Sequence, residues 1–349
     1  MVVVDRSGAQ PPYKGRRWAA FTLVVMAPVC AELTFGAMPL RWAWLMFPLL
    51  VPMYGAGVLL IREAVRRAGG GWPSLLLLGV AYELAEDGIA LQALSSPHLY
   101  GAATWGPRVL GLNTTYWESQ IGYHLVFSVI IPIVLTDLLF PAHRDRPYLR
   151  RGGLIGVGVA AVLGVAIVRL SIPPVADPGY QAPVPVLVGL VLGIAVLALL
   201  ALRVLPGRTP SPAPGRTAPH PAVGGVLTAL ATVAFLGLLI PLRTPPAGGR
   251  GLWVLIPMVL ATGLAVGLGR LIYRWSPGLT NRHRAWLVGG ALVSHTLIGA
   301  AVLASTSFDR VGLIVLALLT VVLLAWASHA APGAGERAGT AGGPRPSRR

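Results

Sequence analysis

Apolar runs long enough to span a bilayer succeed one another along the chain at about 18–38, 43–62, 72–94, 118–140, 152–171, 184–203, 222–241, 252–273, 285–304 and 311–330. A hydrocarbon core about 30 Å thick takes about 20 helical residues, so the pattern predicts ten membrane-spanning helices. The third run is unlike the rest. Trp72 to Leu94 carries Glu83, Glu86 and Asp87 inside its apolar sequence, and positions i, i+3 and i+4 share one helical face. At about 1.5 Å of rise per residue, Glu86 and Asp87 lie about 21–22 Å beyond Trp72, inside the hydrocarbon. Ionisable groups at that depth are costly and mark functional sites.

Charge supports the count. Segments 1–17, 62–71, 141–151, 203–221, 270–284 and 331–349 hold 22 of the 28 basic residues, and the alternate connections hold only Arg41, Arg108, Arg169, Arg243, Arg250 and Arg310. That alternation predicts ten spans with both termini cytoplasmic in the plasma membrane. The ten tryptophans fall near predicted helix ends and read as two interfacial belts, Trp105 and Trp117 belonging to the outer one.

Composition adds exclusions. The chain is 55% hydrophobic and 11% charged, with a mean hydropathy of +0.70; soluble domains carry about 25% charged residues. The formal charge of +16 does not indicate nucleic acid, because the arginines stand singly at the ends of apolar runs and form no basic face. Cys30 is the sole cysteine, which excludes an intramolecular disulfide or a thiolate metal cluster. The polar, basic segment 1–17 precedes a full-length apolar run with no small-residue cleavage site, the pattern of a retained first span.

Polar content divides the chain. Residues 18–150 (helices 1–4) form a polar-site half, and 151–330 (helices 5–10) an apolar half with a Pro-rich linker at 204–221. The Gly/Ala/Arg-rich tail 331–349 reads as disordered. The outer loop 95–117 is aromatic and Gly/Pro-punctuated, a cap over an entrance. Asn113-Thr-Thr matches a glycosylation tripeptide, discounted here. Gly152/Gly156 and Gly263/Gly267 offer close helix packing. Pro28, Pro48, Pro52, Pro132 and Pro257 are candidate kinks.

Depth arithmetic collects further residues at the level of Glu86 and Asp87. Glu32 lies about 21 Å from Trp18, and His124 about 10 Å below the outer boundary marked by Trp117. Gln120, His124 and Ser128 share one stripe with Trp117. The candidate site is therefore Glu83, Glu86, Asp87 and His124, supported by Glu32 and Ser128, with His98 and Gln120 near its mouth. Carboxylates crowded in low dielectric cannot all be ionised, and a carboxylate–imidazole set is the usual material of acid–base chemistry. In an intramembrane hydrolase acting on a lipid or membrane peptide, Glu86 would activate water with Asp87 as partner, and His124 would be a second acid/base. In a proton- or cation-coupled transporter the same groups would relay protons. A non-catalytic scaffold is the third reading. If a divalent metal is used, Glu86, Asp87 and His124 are its ligands, of the oxygen and imidazole type that suits Zn, Mn or Fe. Against that, there is no HExxH. His295, about 13–14 Å from Trp286, reads as packing, Asp137 as reaching the interface, and Glu63 with Arg67 as a surface pair.

The strip from Pro28 to Pro141 resembles a group of uncharacterised actinobacterial polytopic membrane proteins, through YGAGVLLIRE at 54–63, GWPSLLLLGVAYELAED at 71–87 and HLVFSVIIP at 124–132. That resemblance implies a multi-pass membrane fold and no defined activity. In residue order alone the chain is also similar to CPBP-type (CAAX-processing) intramembrane proteases, which carry EExxxR, then FxxxH, then HxxxN or HxxxD. Glu86-Asp87, His124 and His295 stand in that order, with Leu91, Gln120 and Gly299 where the family has arginine, phenylalanine and asparagine or aspartate.

Overall fold

The structure is a computed structural model that describes residues 13–207, 217–240 and 252–330. Residues 1–12 of the N-terminal tail, 208–216 of the Pro-rich linker, 241–251 and the C-terminal tail 331–349 lie outside the described residues.

Apolar sequence without interruption gives long rods. α1 (Tyr13–Pro28) runs into a π-helical turn, Val29–Leu33. α2 (Ala43–Val51) passes through a second π turn, Pro52–Ala56, into α3 (Gly57–Ala68). α4 (Trp72–Glu83) continues as Leu84–Ala90, again π-helical. α5 (Thr114–Tyr123), the π segment His124–Ile130 and α6 (Ile131–Leu139) make the fourth rod. α7 (Arg151–Ser171), the short α8 (Pro173–Ala176) and α9 (Val184–Leu199) follow. α10 (Pro221–Leu239), α11 (Leu255–Trp275), α12 (Asn281–Val302) and α13 (Ser307–Ala330) complete the chain.

This is an all-α polytopic bundle. Among the described residues, eight rods are long and apolar enough to cross a membrane. The two that fall outside that set are α1 and α4 with their π turns, the rods that carry Glu32 and the three clustered acids.

One of the π turns has a local cause. A proline lacks the N–H that would bond the carbonyl four residues back, and its ring crowds that carbonyl; the i→i+5 register relieves the conflict. Pro132 stands four residues after Ser128 of the segment His124–Ile130, whereas Pro28 and Pro52 stand at the start of their π turns. Pro48 and Pro257 stand within regular helix.

The packing glycines are not the expected pairs. Nothing lies within 4 Å of a Cβ placed on Gly152, Gly156, Gly263 or Gly267, so those faces are open. Close approach occurs instead at Gly164, where a Cβ would run into the backbone of Pro52 and Met53, and at Gly299, where it would meet the Phe35 carbonyl. α7 thus lies backbone to backbone against the π turn that carries Tyr54. The tryptophan belts need a similar amendment. Trp105 is only 3% exposed, and Trp117 turns its indole inward onto Glu83, while Trp18, Trp44 and Trp253 remain exposed.

The arginine-rich connections collect at one end of the bundle. Arg62 is buried there, donating to Asp137 Oδ1 and to the carbonyls of His143, Arg144 and Arg146, with its guanidinium 3.4 Å from the Tyr148 ring centroid. Glu63 accepts the backbone N–H groups of Tyr148 and Leu149 at 2.5 and 3.2 Å, and pairs with Arg67 at 3.3 Å. Glu63 is therefore buried (0% exposed) rather than part of a surface pair, because the 140–150 connection folds back over it. Asp137 likewise belongs to this knot, bonded by Arg62, Arg66 and the Tyr148 hydroxyl.

At the opposite end, loop 91–113 folds into a 3-10 turn, Leu99–Thr104, and a two-stranded hairpin, Arg108–Val109 with Leu112–Asn113. Asn113 is buried and donates to the carbonyls of Ala93 and Ser96, a structural post with no room for a glycan.

Candidate functional site

Four rods bring one polar group each, or a pair, to a common level, and each is π-helical there. Glu32 lies in Val29–Leu33, Tyr54 in Pro52–Ala56, Glu86 and Asp87 in Leu84–Ala90, His124 and Ser128 in His124–Ile130. An extra residue in a helical turn rotates everything beyond it, and π turns recur at functional sites for that reason.

His124 is the centre. Its Nδ1 lies 3.2 Å from Glu86 Oε2 and 2.9 Å from Ser128 Oγ; its Nε2 lies 3.4 Å from Asp87 Oδ2. One imidazole thus faces two carboxylates, one at each nitrogen. Around it three of the acids, Glu32, Asp87 and Glu83, each have an aromatic donor from another rod. Tyr54 donates its hydroxyl to Glu32 Oε1 at 2.5 Å, Tyr116 to Asp87 Oδ1 at 2.8 Å, and the Trp117 indole to Glu83 Oε2 at 2.8 Å. Gln120 donates to the Tyr116 hydroxyl at 3.0 Å. The rings of Tyr54 and Tyr82 lie 6.2 and 6.4 Å from that of His124.

Glu83, Glu86, Asp87, His124 and Ser128 are all buried. Glu32 and Gln120 are the partly exposed edges. Among the described residues, Glu83 Oε1, both Glu86 oxygens and Asp87 Oδ2 meet no donor in hydrogen-bond geometry, so Glu86 lies 3.2 Å from His124 without a formed hydrogen bond. Buried acceptors left this way call for protons or a cation.

The structure therefore brings together Glu83, Glu86, Asp87, His124 and Ser128, and joins Glu32 to them through Tyr54. It does not bring His98. That side chain is 73% exposed and pairs with Asp177 at 3.2 Å, while Ser96 also donates to Asp177; this set ties the loop after α4 to the α8–α9 connection. The metal reading is not carried either. Among the described residues no group of three or more His, Cys, Asp or Glu side chains is placed to hold an ion. Glu86 and Asp87 address opposite nitrogens of the same ring, so a single ion cannot take all three.

His295 is closer than its depth suggested. It is sandwiched between Phe35 and Phe127, with ring centroids 4.3 and 3.8 Å away, and the Tyr123 ring lies 5.4 Å from it and 5.1 Å from His124. One aromatic ring separates the two histidines. Neither His295 nitrogen finds a partner among the described residues, and each buried orphan costs about 1–3 kcal/mol. His295→Phe is therefore expected to raise thermal stability in detergent, by about 1–2 kcal/mol. A loss of stability instead would mean that the nitrogens are bonded after all.

Sequence reasoning missed the tyrosines and the inward turn of Trp117. Tyr116 does carry a signal, since Tyr116, Gln120, His124 and Ser128 follow i, i+4 spacing. Tyr54 has none beyond its place next to Pro52.

No curated protein and no solved structure matches the chain, and the similarity to intramembrane proteases gains no support from these comparisons. A family model described as "Uncharacterized membrane protein family" matches residues 21–337. The chain belongs to that uncharacterised membrane protein family.

Proposed function

We propose that the protein is a proton-coupled transporter of the plasma membrane, with Glu86, Asp87 and His124 as its proton-binding centre. The reading rests on one observation: a buried imidazole has one carboxylate oxygen 3.2 Å from its Nδ1 and another 3.4 Å from its Nε2. Such a centre hands a proton from one acid to another, the use to which intramembrane acids and histidines are commonly put. Glu32, half-buried and bonded to Tyr54, is the port through which protons enter and leave. Residues 18–150 are then the working half and 151–330 its framework. The concentration of arginines at one end orients that end, and both termini, toward the cytoplasm. In proteoliposomes carrying a pH-sensitive dye, Glu86→Gln is expected to cut protein-dependent proton flux at least about 10-fold, since an amide cannot exchange a proton in this range. Unchanged flux in a folded Glu86→Gln protein would end this reading.

A second reading has its own observation. Ser128 Oγ, His124 and Asp87 stand in the order nucleophile, base, carboxylate, the arrangement of a hydrolase, here one acting on a lipid or a membrane peptide. Turnover in detergent without any gradient, and covalent labelling of Ser128 by a serine-reactive phosphonate, would favour it over transport.

A further inference from the structure

Of the four acids in the site, three have an aromatic donor and one has none. Glu32 is served by Tyr54, Asp87 by Tyr116 and Glu83 by Trp117. Both oxygens of Glu86 lack a hydrogen-bond partner among the described residues. The complement stands on the same rod, four residues earlier. Tyr82 is 7% exposed, and among the described residues its hydroxyl also meets no partner in hydrogen-bond geometry. A donor without an acceptor and an acceptor without a donor thus share one rod, and each such buried group is costly.

Positions i and i+4 lie on one helical face, and packing holds Tyr82 there. A Cβ on Gly57 would come 2.9 Å from its ring. That ring lies 6.0 Å from the ring of Tyr54 and 6.4 Å from that of His124. The carboxylates that act on Tyr82 electrostatically are those of Glu86, Glu32 and Asp87, Glu86 most strongly. Tyr82 therefore stands between the His124 centre and the Tyr54–Glu32 pair.

We propose that Tyr82 is a positioning residue that draws Glu86 off His124 and presents it to Glu32. The inference rests on the proton-relay reading of the site. Glu86 Oε2, 3.2 Å from His124 Nδ1, takes the imidazolium proton: the N–H bond breaks as the Glu86 O–H bond forms. The neutral acid then turns about its side-chain bonds, and the Tyr82 hydroxyl donates to its carbonyl oxygen. From there the proton passes to the Glu32 carboxylate, and Glu86 returns ionised to His124. Tyr82 keeps its own proton throughout.

The test compares Tyr82→Phe with Glu86→Gln in proteoliposomes carrying a pH-sensitive dye, with the infrared carbonyl band of protonated Glu86 as a second readout. Phenylalanine keeps the ring against Gly57 and removes only the hydroxyl, so Tyr82→Phe is expected to unfold in detergent no earlier than the parent. Its proton flux is expected to fall at least about 10-fold. The Glu86 band, identified by its loss in Glu86→Gln, is expected to move to higher frequency as the carbonyl loses its donor. Full flux in Tyr82→Phe, with Glu86→Gln impaired, overturns this inference and leaves the proton relay standing. Unchanged flux in Glu86→Gln ends both. A fall in flux with the band unmoved, or no band that Glu86→Gln removes, overturns the positioning role. A rise in flux overturns it in favour of a brake, and earlier unfolding of Tyr82→Phe in favour of a structural hydroxyl.

Discussion

His124→Phe is expected, on the proposed proton-relay reading, to cut proton flux by at least about 100-fold, and to destabilise the bundle by about 3–5 kcal/mol. Phenylalanine keeps the ring that packs beside Tyr54, Tyr82 and Tyr123, so the effect isolates the nitrogens. Without them Glu86 loses the ring nitrogen that lies 3.2 Å from it, and Asp87 retains only the Tyr116 hydroxyl. Removing one member of a buried charge set costs more than the set contributes, because the remaining charge is stranded. A double-mutant cycle with Asp87→Asn separates this from lost packing. If the charges are coupled, the second substitution restores part of the stability, with an interaction free energy above about 1 kcal/mol. Strict additivity, measured by thermal unfolding in detergent, would mean that His124 and Asp87 are neighbours without coupling.

Arg62→Met should be the other severe substitution. Three loop carbonyls and Asp137 lose their donor at once, and the stacking on Tyr148 goes with them. A cost of at least about 3 kcal/mol follows. Arg62→Lys recovers little, because an ammonium group cannot fork to several acceptors and stack on a ring as well. A second readout is pH. Burial, and then the Asp137 carboxylate, push the Tyr148 phenol above its ordinary value of 10.0. A raised folded-state value means stability is fully present below about pH 10 and lost as pH rises beyond it. The parent protein should therefore hold its melting temperature from neutral pH to about pH 10 and then decline, and Tyr148→Phe should flatten that decline. An unchanged alkaline decline in Tyr148→Phe would remove Tyr148 from the account. A melting temperature in Arg62→Met within a degree of the parent would remove the clamp.

The acid–histidine centre was legible to an unusual degree. Counting residues from interfacial tryptophans put Glu32, Glu86, Asp87 and His124 at one depth, because helical rise is nearly constant whatever the side chains. The same arithmetic failed laterally. It held His295 apart from the acids, although only the Tyr123 ring separates it from His124. It read Glu63 as a surface group, since nothing in residues 62–67 says that a connection 80 residues later will fold over them. It assigned Trp117 to a belt although Trp117 donates to Glu83. The glycine pairs misled for a related reason. A small residue permits close approach but does not name the partner, and Gly164 found one where Gly152 and Gly156 did not.

What the sequence alone determined is the class of molecule, its succession of apolar rods and the common level of Glu32, Glu86, Asp87 and His124 along them. Each of these follows from one-dimensional quantities: run length, charge spacing and rise per residue. Which groups touch was decided only by the tertiary structure. Tyr54, Tyr116 and Trp117 became donors to the acids because π turns and crossing helices rotated particular faces together. Rotation about a helix axis is set by the neighbours that pack against it.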